Sequence, residues 1–139
     1  MSQGFETPQQ AEDAFYDALE EHDPELMMRV WDESPDIGCL LPMQPFVFGD
    51  DVRKLLRAML ESDMRIDLRI RHLHWVETDE IALHYVQEIT DTPDPSGREL
   101  APPVYATNVY RRRDGGWQML LHQNSPPPPP QDPSAGKRH

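Results

Sequence analysis

ATNVYRRRDGGWQMLLHQNSP, residues 106–126, contains two runs of strand-type residues joined across Asp114-Gly115-Gly116. Glycine reaches positive φ at little steric cost, so this turn suits a tight hairpin. Its arms are apolar on both faces, with Val109 and Tyr110 before the turn and Met119, Leu120 and Leu121 after it. A sheet apolar on both faces has to be covered on both. The chain's own helices are expected on one side and a second copy on the other. With the tip at Asp114-Gly115, Ala106, Asn108 and Tyr110 share a face with Trp117, Met119, Leu121 and Gln123. Tyr105, Thr107, Val109, Leu120, His122 and Asn124 take the opposite face. A slip of one residue exchanges the two sets.

Two more strands precede this hairpin. Ile81–Thr90 reads as one, after a turn at Thr78-Asp79-Glu80. The other begins with Ile66, Leu68 and Ile70 alternating with charged residues, and a change of phase near Arg71-His72 predicts a bulge. The prolines between Thr92 and Pro103 mark a loop. The first half is helical. Thr7 can cap, Pro8 suits the first helical position, and Gln10 completes a capping box. Ala11, Ala14, Phe15, Ala18 and Leu19 then give one buried face. Asp23-Pro24 opens a short second helix, and Gly49-Asp50-Asp51 a third. Ile37–Leu41 and Phe46–Phe48 read as short strands. Helices first and meandering strands later predict a single α+β domain with helices on one face of a curved antiparallel sheet. Residues 1–6 read as a loose lead-in, 7–126 as the folded domain and 127–139 as a disordered Pro-rich tail.

The 139 residues include 37% hydrophobic types, enough for a core, and carry a formal charge of −12. That charge excludes nucleic acid and anionic membrane as partners, because both need a basic footprint. No stretch approaches the roughly 20 apolar residues of a membrane span. Cys39 is alone and forms no intrachain disulfide. No cationic segment leads into an apolar run at the start, so a cytoplasmic protein is expected. Arg111, Arg112 and Arg113 read as a solvated edge that discourages sheet-to-sheet pairing.

The order of elements resembles the SnoaL-like group of the nuclear-transport-factor-2-like superfamily, with a cystatin-like cone fold. The residues carrying the resemblance are Ala14–Leu19, Met28–Trp31, Cys39-Leu40-Leu41-Pro42, Gly49 and Ala106–Pro126. They look most like bacterial proteins similar to the association domain of calcium/calmodulin-dependent kinase II. The resemblance implies a pocket between the concave sheet face and the helices, and a homodimer through the other face. Phe15, Trp31, Leu41, His84, Asn108, Tyr110 and Gln123 then fall on the pocket side. Tyr105, Thr107, Val109, Leu120, His122 and Asn124 fall in the dimer contact.

The superfamily's steroid isomerases need a carboxylate base and an oxyanion hole built from a tyrosine and a protonated Asp. Phe15, Leu41 and Asn108 stand at those positions, and the first two move no proton. Close relatives often carry His at the positions of Leu41 and Gln123, and this chain lacks both imidazoles. His84 and Glu88 remain as proton carriers, about 13 Å apart if both lie along one strand. His72 and His74 alternate onto one face, but no third ligand follows at a recognisable spacing, so neither a metal nor another cofactor is expected. Three readings stay open. The first is a homodimer binding a small, partly apolar molecule. The second is an isomerase, cyclase or hydratase acting on a carbonyl-bearing ring compound. The third is an association module without ligand.

Overall fold

The computed structural model describes residues 4–63, 67–90 and 103–125. Helix α1 spans Pro8–Glu21. Thr7 caps it by accepting a hydrogen bond from the Gln10 amide at 3.0 Å, and Pro8 occupies the first turn. His22 ends it in the left-handed conformation. Helix α2, Pro24–Val30, starts where the Asp23 side chain accepts from the Leu26 amide at 3.1 Å. Helix α3, Asp50–Glu61, follows Gly49, whose φ of 60° is open to glycine. Strands β1 (Gly38–Leu40) and β2 (Val47–Phe48) lie between α2 and α3. Strands β3 (Leu68–Glu77), β4 (Ile81–Thr90), β5 (Val104–Arg113) and β6 (Gly116–Ser125) follow.

The six strands form one curved sheet in the order β2-β1-β6-β5-β4-β3. Every pair is antiparallel except β1 with β6, so the sheet is mixed rather than wholly antiparallel. The chain leaving α2 forms a parallel bridge from Trp31 to Met119 and continues beside β6 in the same direction. At the β5–β6 tip, Asp114 (φ 52°) and Gly115 (φ 81°) make the two-residue turn with both residues left-handed.

Two bulges set which side chains face the helices. The β5–β6 register shifts so that Tyr110 pairs with Met119 but Val109 pairs with Leu121. Leu120 is therefore the extra residue, and the alternation reverses beyond it. Trp117 and Met119 point to the helices before the bulge; His122 and Asn124 do so after it. The β3–β4 register shifts between His72 and His74, close to the expected place. The extra residue puts these histidines on opposite faces, against the simple alternation. His72 pairs with Val86 and faces α1; His74 stacks on Tyr85 outside.

Two further expectations change. The segment at Phe5 is tied rather than loose, since Phe5 and Trp117 exchange backbone hydrogen bonds of 2.9 and 2.7 Å. Gly4 permits this approach, because a Cβ there would stand 2.5 Å from the Gly116 carbonyl carbon. The tail from residue 126, the proline-rich loop and Ile66 lie outside the described residues. The arginine run is not simply a solvated edge. Arg111 binds the buried carboxylate of Asp32 through two hydrogen bonds of 2.9 and 3.2 Å, and Arg113 approaches it at 3.7 Å. Asp32 also accepts from the Ser34 amide at 2.7 Å and offers its carbonyl to Arg53 at 2.7 Å. It thus fastens the end of α2 to the sheet and to α3.

Burial raises the pKa of Asp32, but the bonds from Arg111 and Ser34 outweigh it and hold the carboxyl below its ordinary value. A depressed carboxylate stabilises the fold above its unfolded pKa, and that contribution disappears as pH falls through the folded pKa. Asp32→Asn is expected to cost about 2 kcal/mol in denaturant unfolding at neutral pH. The difference from the parent chain should shrink once the medium is acid enough to protonate Asp32.

Candidate functional site

Two carboxylates lie between α1 and the concave sheet face, each solvated by protein groups. Glu12 comes from α1 and is 1% exposed. Its Oε2 accepts from His84 Nδ1 at 2.8 Å, Tyr110 at 2.9 Å and Asn108 Nδ2 at 3.2 Å. Its Oε1 accepts from His72 Nε2. A carboxylate only accepts, so both imidazole nitrogens facing it carry protons. Burial raises the Glu12 pKa, and the bonds from His84 and His72 overcome that effect and hold it below the ordinary carboxyl value. Trp75 closes this cluster from outside, its ring stacked on His84 with centroids 4.4 Å apart.

The second carboxylate, Glu88, comes from β4. Tyr16 donates to its Oε2 and Asn124 to its Oε1, both at 2.8 Å. His122 Nε2 stands 3.6 Å from Oε2. Asn108 joins the two clusters. Its amide nitrogen donates to Glu12 and to the Tyr16 hydroxyl (3.1 Å), while its oxygen meets His122 Nδ1 at 2.6 Å. Burial, then the neighbouring Glu88, raises the Tyr16 pKa well above normal. Burial likewise raises Tyr110, with Glu12 adding to it. Both phenols therefore stay protonated and act as donors.

His122 faces oxygen on both sides: Asn108 Oδ1 and, at 3.1 Å, Asn124 Oδ1. Only an imidazolium donates to both. Burial opposes that charge and lowers the pKa, with Glu88 partly countering. A neutral ring donates to only one of these two oxygens.

These groups meet open space on two sides. One cavity of about 290 Å³ has walls of Leu19, Leu41, Met59 and Val104, with Glu88, His122 and Asn124 at its polar end. Pro42 and Gln44 stand at the same cavity and also line a second hollow that adjoins it. Another cavity of about 290 Å³ opens on the Glu12 side beside His72.

Of the residues expected at a pocket, Leu41 lines the apolar cavity. Asn108 and Tyr110 lie fully buried in the network, as does His84 beneath Trp75. Phe15 and Trp31 are fully buried core residues; Phe15 packs its ring 4.7 Å from that of His122. Gln123 lies on the opposite face, and His122 and Asn124 replace it inside because of the Leu120 bulge. Tyr105, Thr107 and Val109 remain on the outer face, whereas Leu120 is partly buried against the core. His84 and Glu88 belong to different clusters, bridged by Asn108 and Tyr16. The sequence reading passed over Glu12 and Tyr16. The signal was present: Glu12, Phe15, Tyr16 and Leu19 follow the i, i+3, i+4, i+7 spacing of a buried stripe, with an acid at its head.

The SnoaL-like domain family model matches residues 9–129, and the chain belongs to that family. A Thiobacillus denitrificans structure named for the calcium/calmodulin-dependent protein kinase type II association domain is 34% identical. It superposes with a TM-score of 0.78 over 88% of this chain and 97% of its own. A Streptomyces avermitilis structure, named as a dehydratase of the nuclear-transport-factor-2-like family, is 28% identical with a TM-score of 0.67, covering 85% and 92%. A ketosteroid isomerase-like protein from Erwinia carotovora shares the fold at 16% identity and a TM-score of 0.67, covering 85% and 92%. No curated protein matches the sequence significantly.

Asn108→Asp tests the network. The substitution sets a third carboxyl within 3.2 Å of Glu12 in place of a donor. Like-charge neighbours and burial raise the pKa of such a group, so the cost is largest at neutral pH and falls as the new acid protonates. Thermal unfolding should show a loss of several degrees at pH 7 and a smaller loss at pH 5.

Proposed function

We propose that this domain binds a small, partly apolar molecule in the cavity between Leu41, Met59 and Glu88, with a carbonyl or hydroxyl head against Glu88, His122 and Asn124. The observation that carries the reading is the cavity itself. Its walls are largely apolar, and three of its polar groups, Glu88, His122 and Asn124, are clustered by contacts with one another, as in sites that orient a small ligand. A pure association module needs no such space. Leu41→Trp fills the cavity from its wall. Thermal-shift screening with small cyclic ketones and alcohols should find stabilising ligands for the parent chain, and this variant should lose the shift while remaining folded.

A second reading is favoured by the imidazole–carboxylate pair at the cavity, His122 Nε2 standing 3.6 Å from Glu88 Oε2. His122 and Glu88 at the cavity floor can take a proton from one ligand atom and return it to another, which is the work of an isomerase or dehydratase. The dehydratase name of the Streptomyces relative is in keeping with this. Glu88→Gln keeps a hydrogen-bonding side chain but removes the carboxylate. It should retain ligand binding and abolish deuterium exchange at the carbon next to a bound ketone.

The outer sheet face supports assembly as a homodimer. Tyr85 and Tyr105 are 36% and 39% exposed there, beside Thr107 and Val109. Relatives named for an association domain are consistent with this use of the fold. Light scattering behind a sizing column should give twice the chain mass, and Val109→Lys should return the monomer.

A further inference from the structure

We propose a divalent transition-metal site at Glu12, His72 and His84, separate from the Glu88 cavity. One carboxylate and two imidazoles converge from α1, β3 and β4, and their donor atoms lie within 4.8 Å of one another. A tetrahedral zinc ion with bonds of about 2.1 Å spaces its ligands by roughly 3.4 Å, within reach of small side-chain rotations. Two imidazoles and a carboxylate form a donor set for first-row ions such as Zn²⁺.

The supports for such an ion are in place. Tyr110 and Asn108 hold the Glu12 carboxylate from the sheet side, fixing its orientation as outer groups do around metals. His72 is one-third exposed at the edge of its cavity, which provides an entry path and room for water in a fourth position. Hydrogen bonds alone satisfy Glu12, His72 and His84. They do not account for the rim. Asp13, Asp17 and Glu20 line the same cavity, and no Lys or Arg stands among its described lining residues. Converging carboxylates repel one another and draw cations into the opening. A neutral imidazole frees the nitrogen facing Glu12 for the ion by carrying its proton on the other ring nitrogen, so His72 and His84 can turn from hydrogen-bond donors into ligands.

The test uses the full chain, stripped with a chelator and titrated with Zn²⁺ by calorimetry. One ion per chain is expected. His72→Gln keeps a donor towards Glu12 but removes a metal ligand, and should weaken binding by about tenfold or more. His74→Ala, on the opposite sheet face, should leave the affinity unchanged. Failure to take up Zn²⁺, or equal weakening by both variants, overturns the site. Should His72→Gln not fold, the visible spectrum of the Co²⁺-loaded parent chain decides. Intense bands of a four- or five-coordinate ion support the site; the weak spectrum of the hydrated ion overturns it. None of these changes touches Glu88, His122 or Asn124, so a negative result leaves the ligand cavity to its own experiments.

Discussion

A carboxylate stripped of water must find its donors within the protein or take up a proton. Glu12 finds them: His72, His84, Asn108 and Tyr110 supply donors from β3, β4 and β5. That requirement draws α1 against the concave sheet face and sets the distance between them. An apolar helix could slide or rotate over a greasy sheet at little cost. One bearing a fourfold hydrogen-bonded charge cannot, because each broken contact leaves a buried polar group unsatisfied. Tyr16, one turn further along, makes a second fixed contact through Glu88.

The space beside these contacts follows from them. Because α1 is pinned through Glu12 and Tyr16, the cavity lined by Leu41 and Met59 cannot close by moving α1 onto β4. Its polar end belongs to the same network, which fixes Glu88 and His122 before anything enters. Preorganisation of this sort lowers the cost of ordering groups when a ligand arrives. Asn108 ties the two halves together, since one amide bonds both Glu12 and His122. Cys39 lies close enough for Glu88 to act on its thiol, whose pKa burial first and then Glu88 push up to about 12. It stays an unreactive thiol.

Much of the fold was legible in the chain. Thr7-Pro8 and Asp23-Pro24 start helices through local capping, which depends on neighbours in sequence. Asp114-Gly115 makes its turn because both positions need positive φ. Strand positions followed from alternation. The candidate site was legible only in pieces. His84, Asn108 and Tyr110 read as facing inward, but no local pattern shows Glu12 as their common partner. Glu12 looked like one acid among many in an acidic helix, and Tyr16 like part of an amphipathic run. Simple alternation continued past Leu120 places His122 and Asn124 outward, on the wrong face.

The amino-acid order by itself therefore determined the elements, their ends and the apolar stripe of α1, since those are set by interactions a few residues apart. Tertiary structure decided the phase of β6 beyond Leu120, the parallel placement of β1 and the meeting of Glu12 with residues 60 to 98 positions away. A bulge costs a single unpaired residue, and whether it forms depends on which side chains gain partners across the whole sheet. Local pattern carries no record of that balance.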